Sequence, residues 1–227
     1  MVRSEQDWDE INFEDRRLRE GEHALSPTGI AEQNDSLLRR YREFRRAADA
    51  VVAAWRTRPE VVAVALLGSL AVAPWKEVPR FAPYRRARIA LWHECKDVDL
   101  AVWLVDLRDL DGLRRAKDRA LRALQAASGI GVASHQVDVF VLEPGTDRYL
   151  GRLCRFNRCP KGKIECLVPG CGATRFLQQH KDFRWWSESL AVDRVLHLFD
   201  RTTGRLARAA ELPLPTSEEE AADRAHS

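Results

Sequence analysis

The chain shows three rhythms of apolar and polar positions. Leu37, Tyr41, Phe44, Ala48, Val51, Val52 and Trp55 recur at three- and four-residue intervals. That is the stripe of an amphipathic helix beginning near Asn34, with Asn34 or Asp35 as N-cap, and ending near Pro59. Val61 to Leu67 is a continuous aliphatic run that stops at Gly68-Ser69, the pattern of a strand covered on both faces. From Asp97 to Val105 the period is two: Asp97, Asp99, Ala101 and Trp103 share one face, and Val98, Leu100, Val102 and Leu104 the other. Helical spacing returns in Leu110, Leu113, Ala120, Leu121 and Leu124, with Asp109 or Asp111 as cap and Gly129 and Gly131 at the end. A third strand over His135 to Leu142 puts Asp138 and Phe140 on one face. A helix is expected from Ser187 to about Arg208.

These elements predict an α/β (α+β) fold, a small mixed sheet flanked by helices. Residues 1–33 and 211–227 mix charge with Ser, Pro and Gly and lack apolar period, so they read as loosely ordered acidic ends. Between them lie a domain over 34–147, interrupted by a long basic connection at 70–96, and a Cys-rich segment with the C-terminal helix over 148–210.

The formal net charge of +3 conceals an uneven distribution. Residues 1–35 are net −6, residues 211–227 net −4, and the body net +13. A basic body suits an anionic partner such as a nucleotide or nucleic acid. No apolar run approaches the ~20 residues that cross a bilayer, and the charged first twenty lack a secretory pattern. The expectation is a soluble cytoplasmic protein with no membrane partner.

Carboxylates inside apolar strands are costly unless something neutralises them. Asp97 and Asp99, two apart on one strand face, are spaced so that both reach one or two hard divalent ions, and Asp138 on a neighbouring strand supplies a third edge. Oxygen ligands of this kind suit Mg²⁺ or Mn²⁺, which leave positions open for water and phosphates. Gly68-Ser69 adds a close backbone approach and a hydroxyl for a phosphate at the end of the preceding strand. The plainer alternative makes the three aspartates turn or capping residues of an unrelated α/β domain.

The order of strand, Gly68-Ser69, Asp97-Val98-Asp99 strand, helix and Asp138 strand, over residues 60–143, resembles the nucleotidyltransferase superfamily that includes DNA polymerase beta and the minimal nucleotidyltransferases. The resemblance implies a polymerase beta-like fold in which Gly68 and Ser69 hold a nucleoside triphosphate and Asp97, Asp99 and Asp138 bind two Mg²⁺. It further implies an enzyme that transfers a nucleotidyl group, AMP from ATP being the first expectation, to a hydroxyl. The acceptor stays open between nucleic acid, protein, second nucleotide and small molecule.

Four cysteines follow as Cys154-x4-Cys159-x6-Cys166-x4-Cys171, with Pro160, Gly162, Pro169, Gly170 and Gly172 beside them. Four close thiols among tight-turn residues are what a closed tetrahedral Zn²⁺ site needs, and such a site is structural because no ligand position is left open. Disulfides or redox sensing compete with zinc, and a reducing compartment favours zinc. His180 could replace one thiol. Cys95, two residues before Asp97, reads as an apolar filler, and His93 and His135 as bystanders.

Residues 148–186 carry a surplus of +7. The 70–96 connection interleaves Arg80, Arg85, Arg86 and Arg88 with Trp75, Phe81, Tyr84 and Trp92, a mixture able to stack bases and neutralise phosphates or simply to pack. A second function class therefore stands beside the enzyme: a catalytically silent, zinc-containing nucleic-acid-binding or antitoxin-like regulatory protein on the same fold.

Overall fold

The computed structural model describes residues 27–71, 94–156, 171–179, 183–192 and 194–214. Contacts divide the chain into two units; the described residues of the first are 27–39, 94 and 214, and the rest belong to the second. The sheet, the first helix from Arg40 onward and every site residue below lie in the second unit.

Helix α1 runs Pro27–Trp55. It begins earlier than the expected Asn34, which sits within the helix, so neither Asn34 nor Asp35 caps it. Pro27 is its first residue, a position where a missing N–H breaks no helical bond. Strand β1, Val61–Leu67, matches expectation and leads into a 3-10 turn at Gly68–Leu70. Strand β2 is Val98–Leu104, and helix α2 is Leu110–Ser128. The Asp109 side chain caps α2 by accepting from the Gly112 N–H at 3.0 Å, and Gly129 ends it in the left-handed conformation. Strand β3, Val137–Leu142, follows a 3-10 turn at Ser134–Gln136.

Beyond β3 the expectation fails in two places. Strands β4, Tyr149–Leu153, and β5, Leu177–Gln178, flank the Cys-rich segment, where none was expected. The helix expected over 187–208 is instead a 3-10 turn at Ser187–Leu190 followed by strands β6, Leu196–Asp200, and β7, Arg205–Leu206. Turn chemistry overrides helical spacing there. Asp200 Oδ1 accepts from the N–H groups of Thr202 and Thr203 at 2.8 and 3.1 Å, and Gly204 takes φ +69°. The chain reverses after Asp200, and β7 pairs antiparallel with β6.

The seven strands form one mixed sheet in the order β5-β4-β3-β2-β1-β6-β7. Only β2 and β3 are parallel, and α2 is the crossover that a parallel pair requires. Among the described residues the protein is thus α+β, with a seven-stranded mixed sheet and two helices. No helix among the described residues is long and apolar enough to cross a membrane.

Alternation divides the sheet into two buried faces. Val64, Leu66, Val98, Leu100, Val102, Val139 and Val141 are essentially inaccessible on one face. The buried stripes of α1 (Tyr41, Phe44, Val51, Trp55) and α2 (Leu110, Leu113, Leu121) supply the matching apolar surface. The two helices are tied where the Trp55 indole donates to the Leu113 carbonyl at 3.0 Å. On the other face Ala65, Leu67, Ala101, Trp103, Phe140 and Leu142 form a second cluster, covered by Tyr149, Trp185, Leu190 and Val195. Burial of this kind is worth about 25 cal/mol per Å² of apolar surface.

The buried Lys117 on α2 donates from Nζ to the carbonyls of Ser134 and Val137, at 2.7 and 3.0 Å, and so fixes the start of β3. Burial pulls its pKa from 10.5 down to about 8. Between those values the unfolded chain holds a proton the folded chain has released, so stability rises as pH increases through that window. Lys117→Met should flatten this rise, which amounts to roughly 3 kcal/mol for a shift of this size. Urea denaturation of both proteins between pH 7 and pH 10.5 checks it.

Candidate functional site

Strand register assembles the acidic residues. Asp99 pairs with Leu67 across the antiparallel β1–β2 ladder and with Asp138 across the parallel β2–β3 ladder. The residue after Leu67 is Gly68, so the Gly-Ser turn and two carboxylates meet at one end of three adjacent strands. Asp97 precedes β2 on the same parity as Asp99 and is exposed. All five residues, Gly68, Ser69, Asp97, Asp99 and Asp138, thus gather at one end of the central strands, with the three aspartates on the face opposite the helices.

Gly68 has φ +67°, and a Cβ there would lie 3.0 Å from Asp99 Oδ2. Glycine therefore permits both the left-handed turn and the close approach of the carboxylate. Asp99 is partly buried, yet it accepts no hydrogen bond and forms no ion pair among the described residues. Burial raises its pKa, the neighbouring Asp97 charge raises it further, and Arg152 opposes both. A desolvated carboxylate beside a second one is what a site for a cation presents.

Asp138 is in a different state. Its carboxylate is paired with the Arg152 guanidinium, both side chains about one-quarter exposed. Arg152 also lies over the Phe140 ring, 5.4 Å from its centroid. Burial lowers the pKa of Arg152 while Asp99 and Asp97 raise it.

Arg152 reaches this face through a bulge. Phe140 pairs with Arg152 and Val141 with Gly151, and the register then slips so that Leu142 faces Tyr149. Tyr149 and Arg152, three residues apart, therefore project to the same face, which unbroken alternation forbids. Gly151 permits the irregularity: at φ +150° a Cβ would sit 2.6 Å from Leu177 Cγ. Sequence reasoning counted Arg152 only in the basic surplus. The glycine inside an otherwise strand-like Tyr-Leu-Gly-Arg-Leu run was the available signal of a bulge.

A second group that sequence reasoning missed underlies the Gly-Ser turn. Ser69 Oγ lies 2.8 Å from Cys95 Sγ, so the buried Cys95 is a polar contact of the turn rather than an apolar filler. Burial pushes its thiol pKa up, as it does the adjacent Tyr41 phenol. The inaccessible Arg45 of α1 donates from Nε to the Leu70 carbonyl at 3.2 Å and from Nη1 to the Leu212 carbonyl at 3.1 Å. Helix α1 thereby pins the turn from behind.

Of the four spaced cysteines, Cys159 and Cys166 lie outside the described residues, as do His180, His93 and the interleaved aromatics and arginines between Trp75 and Trp92. Cys154 follows β4 and is buried, and its sulfur accepts from the Phe156 N–H at 3.4 Å. Cys171 Sγ accepts from the Gln179 N–H at 3.4 Å. His135 is exposed in the turn before β3.

No family model, curated protein or solved structure matches this chain.

Two stability effects follow from the geometry. Gly68→Ala should cost about 1–2 kcal/mol, because alanine must hold a left-handed conformation and displace Asp99; chemical denaturation measures it. Asp99→Asn should melt above the wild-type protein in metal-free buffer, since it removes a desolvated charge beside Asp97. A lower melting temperature would contradict the repulsion assigned to this pair.

Proposed function

We propose that the chain is a metal-dependent nucleotidyltransferase with a polymerase beta-like fold, using a nucleoside triphosphate, ATP being the first candidate, and transferring its nucleotidyl group to a hydroxyl. The observation that carries the reading is the single register line Leu67, Asp99, Asp138 across three strands, with Gly68-Ser69 at its end.

The residues fit a divalent ion. Asp99 offers partly buried oxygens that accept no hydrogen bond among the described residues, Asp97 is exposed beside it, and Asp138 adjoins on the next strand. Hard oxygen donors of this type favour Mg²⁺ or Mn²⁺. Bound there, divalent metal supplies the lowered acceptor pKa and the charge that stabilises departing pyrophosphate. Asp99 on β2 and Asp97 just before it would hold the ion, and Asp138 would complete the set by sharing its carboxylate with Arg152. Gly68 and Ser69 receive the triphosphate, the glycine through its open backbone and the serine through its hydroxyl. Cys95 and Arg45 keep that turn in place.

The Cys-rich segment is assigned to a structural Zn²⁺ held by Cys154, Cys159, Cys166 and Cys171. Backbone N–H groups donate to the Cys154 and Cys171 sulfurs, contacts that hold both side chains in place beside the segment. Beside the enzyme stands the catalytically silent binding protein. The Asp138–Arg152 pair favours it, since it neutralises the third carboxylate with a group of the chain itself.

Incubation with α-labelled ATP, Mg²⁺ and a panel of hydroxyl acceptors separates the two. The enzyme reading expects label transfer that falls by about a hundredfold or more in Asp97→Ala, the loss typical of removing a group that acts directly on the reacting atoms. Equal transfer by both proteins, or none by either, favours the binding protein. For the second site, elemental analysis should find about one zinc per chain, lost in the Cys159→Ser, Cys166→Ser double variant. Full zinc retention there would contradict the ligand set.

A further inference from the structure

We propose that the β3–β4 side of the carboxylate face is the acceptor subsite and that it takes a nucleotide, in which the reacting hydroxyl is accompanied by a phosphate and a base. This rests on the nucleotidyltransferase reading and names the acceptor class within it.

Strand order sets the groups in a line: Gly68 and Ser69 after β1, Asp97 and Asp99 with β2, Asp138 on β3 and Arg152 on β4. In a displacement at phosphorus, attacking and leaving oxygens lie on opposite sides of the reacting atom. A triphosphate on the Gly-Ser side therefore leaves the Asp138 side to the acceptor. That side carries a specific chemistry. The Arg152 guanidinium lies between the Asp138 carboxylate and the Phe140 ring. Phe183 stacks on Phe140, with centroids 5.6 Å apart and an interplanar angle of 21°, and is itself 37% exposed.

A guanidinium has five N–H donors in a fixed fork, and among the described residues Asp138 is its ion-pair partner. Donors are left over for a phosphate, which the fork matches in two-point fashion. The exposed part of the Phe183 ring suits a base, because every base stacks on an aromatic ring. A polycationic acceptor fits poorly, since Arg152 stands beside the carboxylate that would otherwise attract it. The guanidinium is fixed here by the Gly151 bulge, which is what turns Arg152 onto this face.

The step balances without further reactants. The acceptor hydroxyl oxygen bonds to the α-phosphorus of the nucleoside triphosphate. The bond from that phosphorus to the α,β-bridging oxygen breaks, pyrophosphate leaves with the electron pair, and the hydroxyl proton passes to water by way of Asp138.

Isothermal titration of the full chain, holding Mg²⁺ and a saturating non-hydrolysable ATP analogue, tests the proposal with AMP, adenosine, a 5′-phosphorylated tetra-adenylate and a polycationic amino sugar. AMP should bind about tenfold or more tightly than adenosine, the scale of a two-point charge-assisted contact. Arg152→Gln should abolish that preference, and Arg152→Lys, which keeps the charge and serves if the glutamine variant does not fold, should lower it severalfold. Phe183→Ala should weaken AMP and adenosine alike, by about fivefold or more. Tetranucleotide binding tighter than AMP assigns a nucleic-acid end, and the reverse a free nucleotide; both uphold the subsite. Equal binding of AMP and adenosine, a preference that survives both Arg152 variants, or tighter binding of the amino sugar overturns it. If the triphosphate analogue itself does not bind, the nucleotidyltransferase reading falls with it. If the analogue binds and no phosphate preference appears, the acceptor assignment alone falls.

Discussion

The parallel, in-register pairing of β2 and β3 is the constraint from which the rest of the site follows. It sets Val98 beside Val137 and Leu100 beside Val139 on one face, and Asp99 beside Asp138 and Ala101 beside Phe140 on the other. A slip of one residue would exchange the two faces, putting carboxylates against the helices and valines at the exposed edge. The apolar majority of both strands thus fixes the position of the two acids. A carboxylate desolvated at the strand end beside a second one is a liability for folding, and burial together with the Asp97 charge raises the pKa of Asp99. The fold accepts that liability at the end of the strands, where β2 and β3 leave the core.

Two glycines make the rest of the site geometrically possible. Gly68 turns the chain at the end of β1 while admitting the Asp99 carboxylate. Gly151 lets β4 bulge against β3, so that Arg152 joins the acidic face and pairs with Asp138. The result is graded along the sheet edge. Near β1 there is open backbone and a hydroxyl, in the middle an acid pair that Arg152 offsets only in part, and near β4 an ion-paired acid with an aromatic floor. Such a gradient supplies different partners for a phosphate, a cation and a second anionic group within a few strand spacings of about 4.8 Å.

Much of this was legible in the chain before any fold was known. The β-branched run Val61–Leu67, the alternation through Asp99 and the Asp109 cap each depend on local chemistry, and each element forms close to its expected bounds. Three residues of the acidic edge, Asp97, Asp99 and Asp138, were conspicuous as carboxylates in apolar strands, and Gly68-Ser69 as a small polar stop after an aliphatic run. What escaped was long-range. Arg152 gains its role from a bulge in the pairing of β4 with β3, and Cys95 from a contact with a turn 26 residues earlier in the chain. The segment after Ser187 was expected as a helix and forms a 3-10 turn and two strands instead. The Asp200 turn and pairing of β6 with the edge of β1 decided for strand.

The central claim is that Asp97, Asp99 and Asp138 form one cation site that a triphosphate completes. The most direct measurement is titration of the full chain with Mn²⁺, with and without a non-hydrolysable nucleoside triphosphate, following free Mn²⁺ by electron paramagnetic resonance. The account predicts Mn²⁺ binding by the wild-type protein that tightens when the triphosphate is present and is lost in Asp99→Asn. Mn²⁺ binding that is indifferent to the triphosphate and unchanged in Asp99→Asn would contradict it.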